Sequence, residues 1–245
     1  MLTLAHVSDT HLDDSPRSID RTRAVMRHLN SLPGPLDAVI VTGDIADNGL
    51  AEEYETAREL LASRYPTVIC PGNHDVRQAF RKVLLDQGGD GPVNQVLRLD
   101  GLTVALCDSS IPGRPEGFLE DETIAWLEAL LAESPGTPAL VGMHHPPVTL
   151  GIPYVDEIRL RNPERLEEVL RRHPHVAAVI TGHAHTAAST TFAGLPLVVA
   201  PGVVSTLMLA PELASPPPVD LGLPPQIAMH VFEDGRLTTH FRPIV

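Results

Sequence analysis

Two kinds of pattern alternate along the first third of the chain. LTLAHV (2–7), DAVIVT (37–42) and TVIC (67–70) are short apolar runs of strand length. Between them lie segments whose apolar residues recur every three or four positions. Residues 19–30 place Val25, Met26 and Leu29 on one helical face, and Ala51 to Ser63 does the same with Tyr54, Ala57, Leu60 and Leu61. This β-α-β-α-β opening predicts a mainly parallel sheet with crossover helices.

The pattern then changes. VNQVLRL (93–99) and LTVALC (102–107) flank Asp100-Gly101, a hairpin turn pair. A helix is expected over 121–133, with acidic residues in its first turn where the helix dipole favours them. PALVGM (138–143) reads as a strand. Asn162-Pro163 predicts an N-cap followed by proline at the first helical position, with the helix running to Arg172. VAAVIT (176–181), STTFAG (189–194), LPLVVA (195–200), QIAMHVF (226–232) and LTTHF (237–241) make the second half strand-rich, the last two joined by Glu233-Asp234-Gly235. Prolines 201, 211, 216, 217, 218, 224 and 225 mark residues 201–225 as an irregular surface loop. No repeat and no second composition regime is visible, so one domain is expected over 1–245.

Composition narrows the function classes. Only 4% of the 245 residues are aromatic, so the core must be built from Leu, Val, Ile and Ala. The net charge of −13 argues against nucleic acid as a partner, because gripping a phosphate backbone needs a basic face. A small anionic substrate stays open, since bound cations invert the local field. Cys70 and Cys107 each end an apolar run and read as buried free thiols. The opening MLTLAHVSDTHL has no basic stretch, and no apolar run reaches the roughly 20 residues of a membrane span. A cytoplasmic chain with no membrane partner is the expectation.

The chemistry lies where the strand runs end. The first ends in Asp9-Thr10-His11, the second in Gly43-Asp44 and the third in Pro71-Gly72-Asn73-His74-Asp75. Later ends deliver His144-His145-Pro146-Pro147 and Gly182-His183-Ala184-His185. Ligands of open α/β sheets bind beyond the carboxyl ends of strands, so five such ends predict one site on one rim. In extended chain, residues two apart point the same way, which would let Asp9 and His11 approach together, and likewise His183 and His185. Gly43, Gly72 and Gly182 predict left-handed turns at the strand tips. The donors are carboxylate, imidazole and one amide, a set that suits manganese, iron, zinc or cobalt. Asp9, His11, Asp44, Asn73, His144, His183 and His185 are too many for one ion and fit a two-metal clamp. His6, His28, His173, His175, His230 and His240 read as core or surface residues, and His145 as a neighbour that shapes the pocket.

The order Asp-x-His, Gly-Asp, Gly-Asn-His-Asp, His-His-Pro-Pro, Gly-His-x-His resembles the calcineurin-like metallophosphoesterases. TGDIADNG (42–49), CPGNHDVR (70–77), LCDSSIPGRPEG (106–117), MHHPP (143–147) and GHAHTAASTTFAGLPLVVAPG (182–202) are similar to the bacterial class III cyclic-nucleotide phosphodiesterases. The likeness covers about residues 1–205. It implies an α/β fold, a four-layer α/β/β/α sandwich of two mixed sheets flanked by helices. It implies that Asp9, His11 and His185 bind one metal, that Asn73, His144 and His183 bind the other, and that Asp44 bridges them. His74 would bind no metal and act as the catalytic residue at the phosphate, with Asp75 orienting it or capping a helix. The cofactors implied are two metal ions, iron and manganese, with zinc or cobalt as alternatives.

The activity implied is hydrolysis of 3′,5′-cyclic nucleotides (cAMP or cGMP) to 5′-nucleotides by a hydroxide bridging the metals. Glycerophosphodiesters, nucleotides and other phosphomonoesters are the alternative substrates, and a non-catalytic metal-binding scaffold is a further alternative. Asn48 and Arg114 are the candidate substrate contacts, with Glu116 and the loops 109–118, 148–161 and beyond Pro201 around them. A homodimer is plausible from the resemblance.

Overall fold

The computed structural model describes residues 1–213 and 218–245. Pro216 and Pro217 of the proline-rich segment lie outside the described residues. In chain order the elements are β1 (Leu2–Val7), α1 (Pro16–Asn30), β2 (Ala38–Thr42), α2 (Ala51–Leu60), β3 (Thr67–Cys70) and α3 (Arg77–Leu84). They continue with β4 (Gln95–Leu99), β5 (Leu102–Leu106), α4 (Asp121–Glu133), β6 (Ala139–Gly142), α5 (Pro153–Glu157) and α6 (Pro163–Arg172). The last are β7 (Val176–Thr181), β8 (Ala188–Phe192), β9 (Leu195–Val199), β10 (Thr206–Leu207), β11 (Val219–Asp220), β12 (Gln226–Glu233) and β13 (Arg236–Pro243).

Two mixed sheets form the middle of the molecule. One has the order β13-β12-β1-β2-β3 and the other β4-β5-β6-β7-β9-β8. The β1-β2-β3 and β5-β6-β7-β9 pairings are parallel, and the antiparallel strands stand at the edges. Alternate residues of each strand face opposite sides. Leu4, Ala38, Ile40 and Val68 of the first sheet therefore pack on Leu102, Val104, Leu140 and Ile180 of the second. Their neighbours Ala5, Val7, Val39 and Val41 pack instead on Val25, Met26, Leu29, Tyr54 and Phe80 of α1, α2 and α3. Ala105, Ala139, Val141 and Val179 pack on Leu127, Leu131, Leu166 and Val169 of α4 and α6. Strands buried on both faces have to be apolar throughout, which is why they appear in the sequence as unbroken runs. The outcome is helices, sheet, sheet, helices.

Several local expectations change. α1 starts at Pro16 because Ser15 caps it, accepting from the Ser18 amide. α3 and α5 are helices beyond those expected from the sequence; α3 carries Ala79, Phe80, Val83 and Leu84 on one face and sets Phe80 in the core beside Tyr54. Asn162 does not cap α6 with its side chain. Its amide instead clasps both backbone polar groups of Leu119, at 3.0 and 2.9 Å. The 201–225 segment is not wholly irregular, since β10 pairs antiparallel with β11. Cys70 and Cys107 are buried free thiols. Among the described residues, no helix is long and apolar enough to cross a membrane.

Candidate metal centre

The carboxyl ends of β1, β2, β3, β6 and β7 meet at one rim. Donor atoms of Asp9, His11 and His185 lie within 4.8 Å of one another, and so do those of Asp9, Asp44 and His144. Asp44 stands between the two groups, its Oδ2 3.2 Å from His144 Nε2 and 3.5 Å from His11 Nε2. His183 Nδ1 lies 3.1 Å from His144 Nε2, and His11 Nε2 lies 3.1 Å from His185 Nε2. Asn73 follows the same β3 loop, and its Oδ1 is buried without a partner.

The backbone achieves this by left-handed turns. Asp9, His11, Asp44, His183 and His185 have φ of 56°, 41°, 46°, 69° and 50°. Non-glycine residues avoid this region, and such strain gathers at functional sites. The i, i+2 pairs thus converge through turns and not through extended chain, and His183 and His185 diverge to different groups. Of the three glycines, only Gly43 has positive φ, at 83°. Gly72 and Gly182 are required by space: a Cβ there would stand 2.2 Å from Asp44 Oδ1 and 1.9 Å from Ser8 Oγ.

Three of the rings are held from behind. His11 Nδ1 faces Asp47 Oδ1 at 2.8 Å, His144 Nδ1 faces the Thr42 carbonyl at 2.7 Å, and His185 Nδ1 faces Ser205 Oγ at 2.8 Å. Nδ1–H donation to these oxygens directs the Nε2 atoms inward, where a cation would take the place of any Nε2 proton. Inward nitrogens and carboxylate oxygens then converge, with Asp9 Oδ2 accepting from the His183 amide at 3.1 Å and Asp44 Oδ1 from the His74 amide at 2.9 Å. Asp9 Oδ1, Asn73 Oδ1 and His183 Nε2 are buried and unpartnered. Buried polar atoms are normally satisfied, so this cluster of lone pairs fits cations. His145 donor atoms also lie within 4.8 Å of those of His144 and His183, but both its nitrogens are taken: Nδ1 engages Ser109 Oγ at 2.8 Å and Nε2 the Pro115 carbonyl at 3.2 Å. It anchors the 109–118 loop.

Electrostatics agrees with the geometry. Burial would raise Asp44, but the imidazoles of His144, His11 and His74 hold it well below the usual carboxylate range. Burial would lower His144, yet the Asp44 carboxylate beside it brings it up to about 9. Burial pushes His185 down to about 4 and holds His183 well below its ordinary value. The rim is a place where buried anions demand positive charge.

His74 is exposed at the mouth, its Nδ1 2.8 Å from the Asp47 carbonyl. Asp75 neither touches His74 nor caps α3. Its carboxylate accepts from the amides of Gly72, Ile45 and Ala46 and from the Tyr54 hydroxyl, clamping the β2 and β3 loops together. Asn48 donates its amide to Glu53 at 2.8 Å, and Arg114 pairs with Glu116 on the surface. The structure brings neither into the cluster. Asp47 and Ser205 were missed, because an aspartate in a loop and a serine after it carry no sequence periodicity.

The family model of the calcineurin-like phosphoesterases matches residues 2–187. The chain belongs to that family. It is a metal-dependent phosphoester hydrolase with a two-metal centre. A glycerophosphodiester phosphodiesterase of Enterobacter lignolyticus is 36% identical over 242 residues, covering 94% of this chain and 86% of the relative. The 3′,5′-cyclic adenosine monophosphate phosphodiesterase of Escherichia coli is 30% identical over 244 residues, covering 96% and 87%. Among solved structures, a dimetal phosphatase from Danio rerio superimposes with a TM-score of 0.75 at 19% identity, over 100% of this chain and 96% of that one. That likeness concerns the fold of this calcineurin-like phosphoesterase.

Proposed function

We propose that this calcineurin-like enzyme hydrolyses small phosphodiesters, 3′,5′-cyclic nucleotides first among them, giving 5′-nucleotides. The observation that carries the reading is the convergence of unpartnered donors on one rim beneath an exposed histidine. On this reading Asp9, His11 and His185 would hold one cation, Asn73, His144 and His183 the other, and Asp44 would serve both. Manganese and iron suit this oxygen and nitrogen donor set, as do zinc and cobalt. Cations held there supply Lewis-acid charge for phosphate oxygens and activate water for in-line attack on phosphorus.

The protein's own groups do the rest. The carboxylates and bare imidazole nitrogens fix the cations without themselves moving protons. His74 keeps Nδ1–H on the Asp47 carbonyl, so its Nε2 is the atom free to face a substrate. Protonated, that Nε2 gives its proton to the leaving alkoxide, a contribution of about 10²–10⁴-fold. The acidic surface disfavours nucleic acid and leaves a small diester as substrate.

A second reading, glycerophosphodiesters, is favoured by the 36% identical relative of that name. The test is kcat/KM of the Mn²⁺-loaded protein on 3′,5′-cyclic AMP, a glycerophosphodiester and p-nitrophenyl phosphate in parallel. Preference for cyclic AMP supports the first reading, and preference for the glycerol diester supports the second. Turnover of the monoester alone would remove both.

A further inference from the structure

Between the two sheets, in an otherwise apolar layer, lie two histidines that belong to none of the converging donor groups. His6 on β1 and His230 on β12 are both fully buried, with ring centroids 5.3 Å apart. His230 stands opposite Leu4 across the strand pair, on the face that meets the second sheet. Neither touches a donor of the metal centre. A chain of hydrogen bonds connects them to it.

The direction of that chain is forced from the Thr42 carbonyl as far as His6, and beyond it follows from neutral rings. The Thr42 carbonyl can only accept, so the Ser8 hydroxyl donates to it at 3.0 Å. With its one proton committed, Ser8 Oγ accepts from the Thr42 hydroxyl at 2.9 Å. Thr42 Oγ1 must then accept from His6 Nε2–H at 2.8 Å. A neutral His6 has a bare Nδ1, which accepts from His230 Nε2–H at 3.1 Å. The bare His230 Nδ1 accepts from the Thr239 hydroxyl at 2.8 Å. The chain ends on the same Thr42 carbonyl that accepts His144 Nδ1–H at 2.7 Å. It closes with both rings neutral, the state burial favours, and fails only when both rings carry two protons and set N–H against N–H at their shared contact. Burial depresses both, His230 to about 4 and His6 well below its ordinary value.

Such a network contributes little net stability, because its bonds replace bonds to water. What a fully satisfied buried network supplies is one fixed arrangement. Here the group arranged is the carbonyl that sets the tautomer and tilt of His144. We propose that His6 and His230 are positioning residues of the metal centre, acting through Thr42 and Ser8 to direct His144 Nε2 at its cation. The inference rests on the reading of His144 as a ligand.

The test uses metal-stripped full-length protein titrated with Mn²⁺ by calorimetry, together with imidazole ¹H–¹⁵N spectra before metal is added. The spectra should show Nε2–H for His6 and His230 and Nδ1–H for His144. His6→Leu should weaken one of the two Mn²⁺ sites about tenfold, the low end of what partners of metal ligands contribute. His6→Gln, whose amide nitrogen reaches the position of Nε2, should restore most of that affinity. Thr42→Val keeps the carbonyl and the side-chain shape, and should reproduce the His6→Leu loss. The double variant should be no worse than either single change, since coupled sites are non-additive. Wild-type Mn²⁺ affinity and an unchanged His144 tautomer in His6→Leu overturn the proposal. So does an equal loss in His6→Gln, which would mark a packing effect. If His6→Leu does not fold, Thr42→Val carries the same comparison. His144→Ala separates the underlying reading: two Mn²⁺ bound as tightly as in wild type would remove the ligand assignment itself.

Discussion

Asp47 Oδ1 lies 2.8 Å from His11 Nδ1. This contact holds the ring so that Nε2 points at Asp44 and His185. The same residue's carbonyl takes His74 Nδ1, so one loop position orients both a proposed cation ligand and the group above it. Asp47→Ala should lower metal affinity by about 10–100-fold, the usual effect of removing a partner of a ligating imidazole. Asp47→Asn keeps an acceptor and should lose less. Mn²⁺ titration of the stripped protein measures both.

His74 is exposed and its donor atoms come within 4.8 Å of those of His11 and Asp44, but its Nδ1 is taken by the Asp47 carbonyl, so its removal should separate metal binding from turnover. His74→Ala should retain two metals on elemental analysis. It should lose about 10²–10⁴-fold in kcat on diesters with poor leaving groups, and less on activated ones. Asn73→Ala should show the opposite sign, with metal content below two equivalents. Loss of metal in the His74 variant would refute its role.

Gly72 has no room for a methyl group. A Cβ would stand 2.2 Å from Asp44 Oδ1 and 2.8 Å from His144 Nε2. Gly72→Ala should displace the Asp44 carboxylate and so reduce metal content and activity together. The destabilisation expected is about 1–3 kcal/mol, as for overpacking elsewhere. Denaturant unfolding beside elemental analysis tests it, and a fully metallated, active variant would contradict it.

Burial lowers His230 to about 4 from an ordinary value of 6.5, so the unfolded chain binds the extra proton first. Stability from this group is complete above pH 6.5 and is lost as pH falls toward 4. His6 faces it and acts in the same direction. The unfolding free energy of metal-free protein should therefore fall with acid across that window. The slope per histidine is at most about 1.4 kcal/mol per pH unit. His230→Gln should flatten the slope, and an unchanged slope would contradict the assignment.

Chelation should destabilise the fold as well as silence it. Asp9 Oδ1, Asn73 Oδ1 and His183 Nε2 lack partners, and cations that bind only the folded chain stabilise it by mass action. Thermal unfolding with and without a chelator should show a lower Tm when metal is removed. Added Mn²⁺ should restore it.

The layer structure was legible because its causes are local. Strands covered on both faces must be apolar throughout, so β1, β2, β5, β6 and β7 could be located from runs alone. The rim residues were legible for a related reason. Chemistry at a strand tip is a polar group at the end of an apolar run, as in Gly-Asp after VIVT and Gly-His-Ala-His after VAAVIT. Helix α5 was not, because five residues are too short to show a period, whereas α3 does carry one in Ala79, Phe80, Val83 and Leu84 that was passed over.

What the sequence determined by itself is therefore the donor types, their order and the sheets that carry them. Tertiary structure decided the rest. Asp47, Ser205 and the Thr42 carbonyl reach the histidines across 36, 20 and 102 positions of chain, and no spacing rule spans such distances. The left-handed φ of Asp9, His11, Asp44, His183 and His185 cannot be read from residue types that avoid it. Long-range hydrogen bonds and enforced backbone strain exist only once both sheets have closed, and they turn a list of donors into a centre.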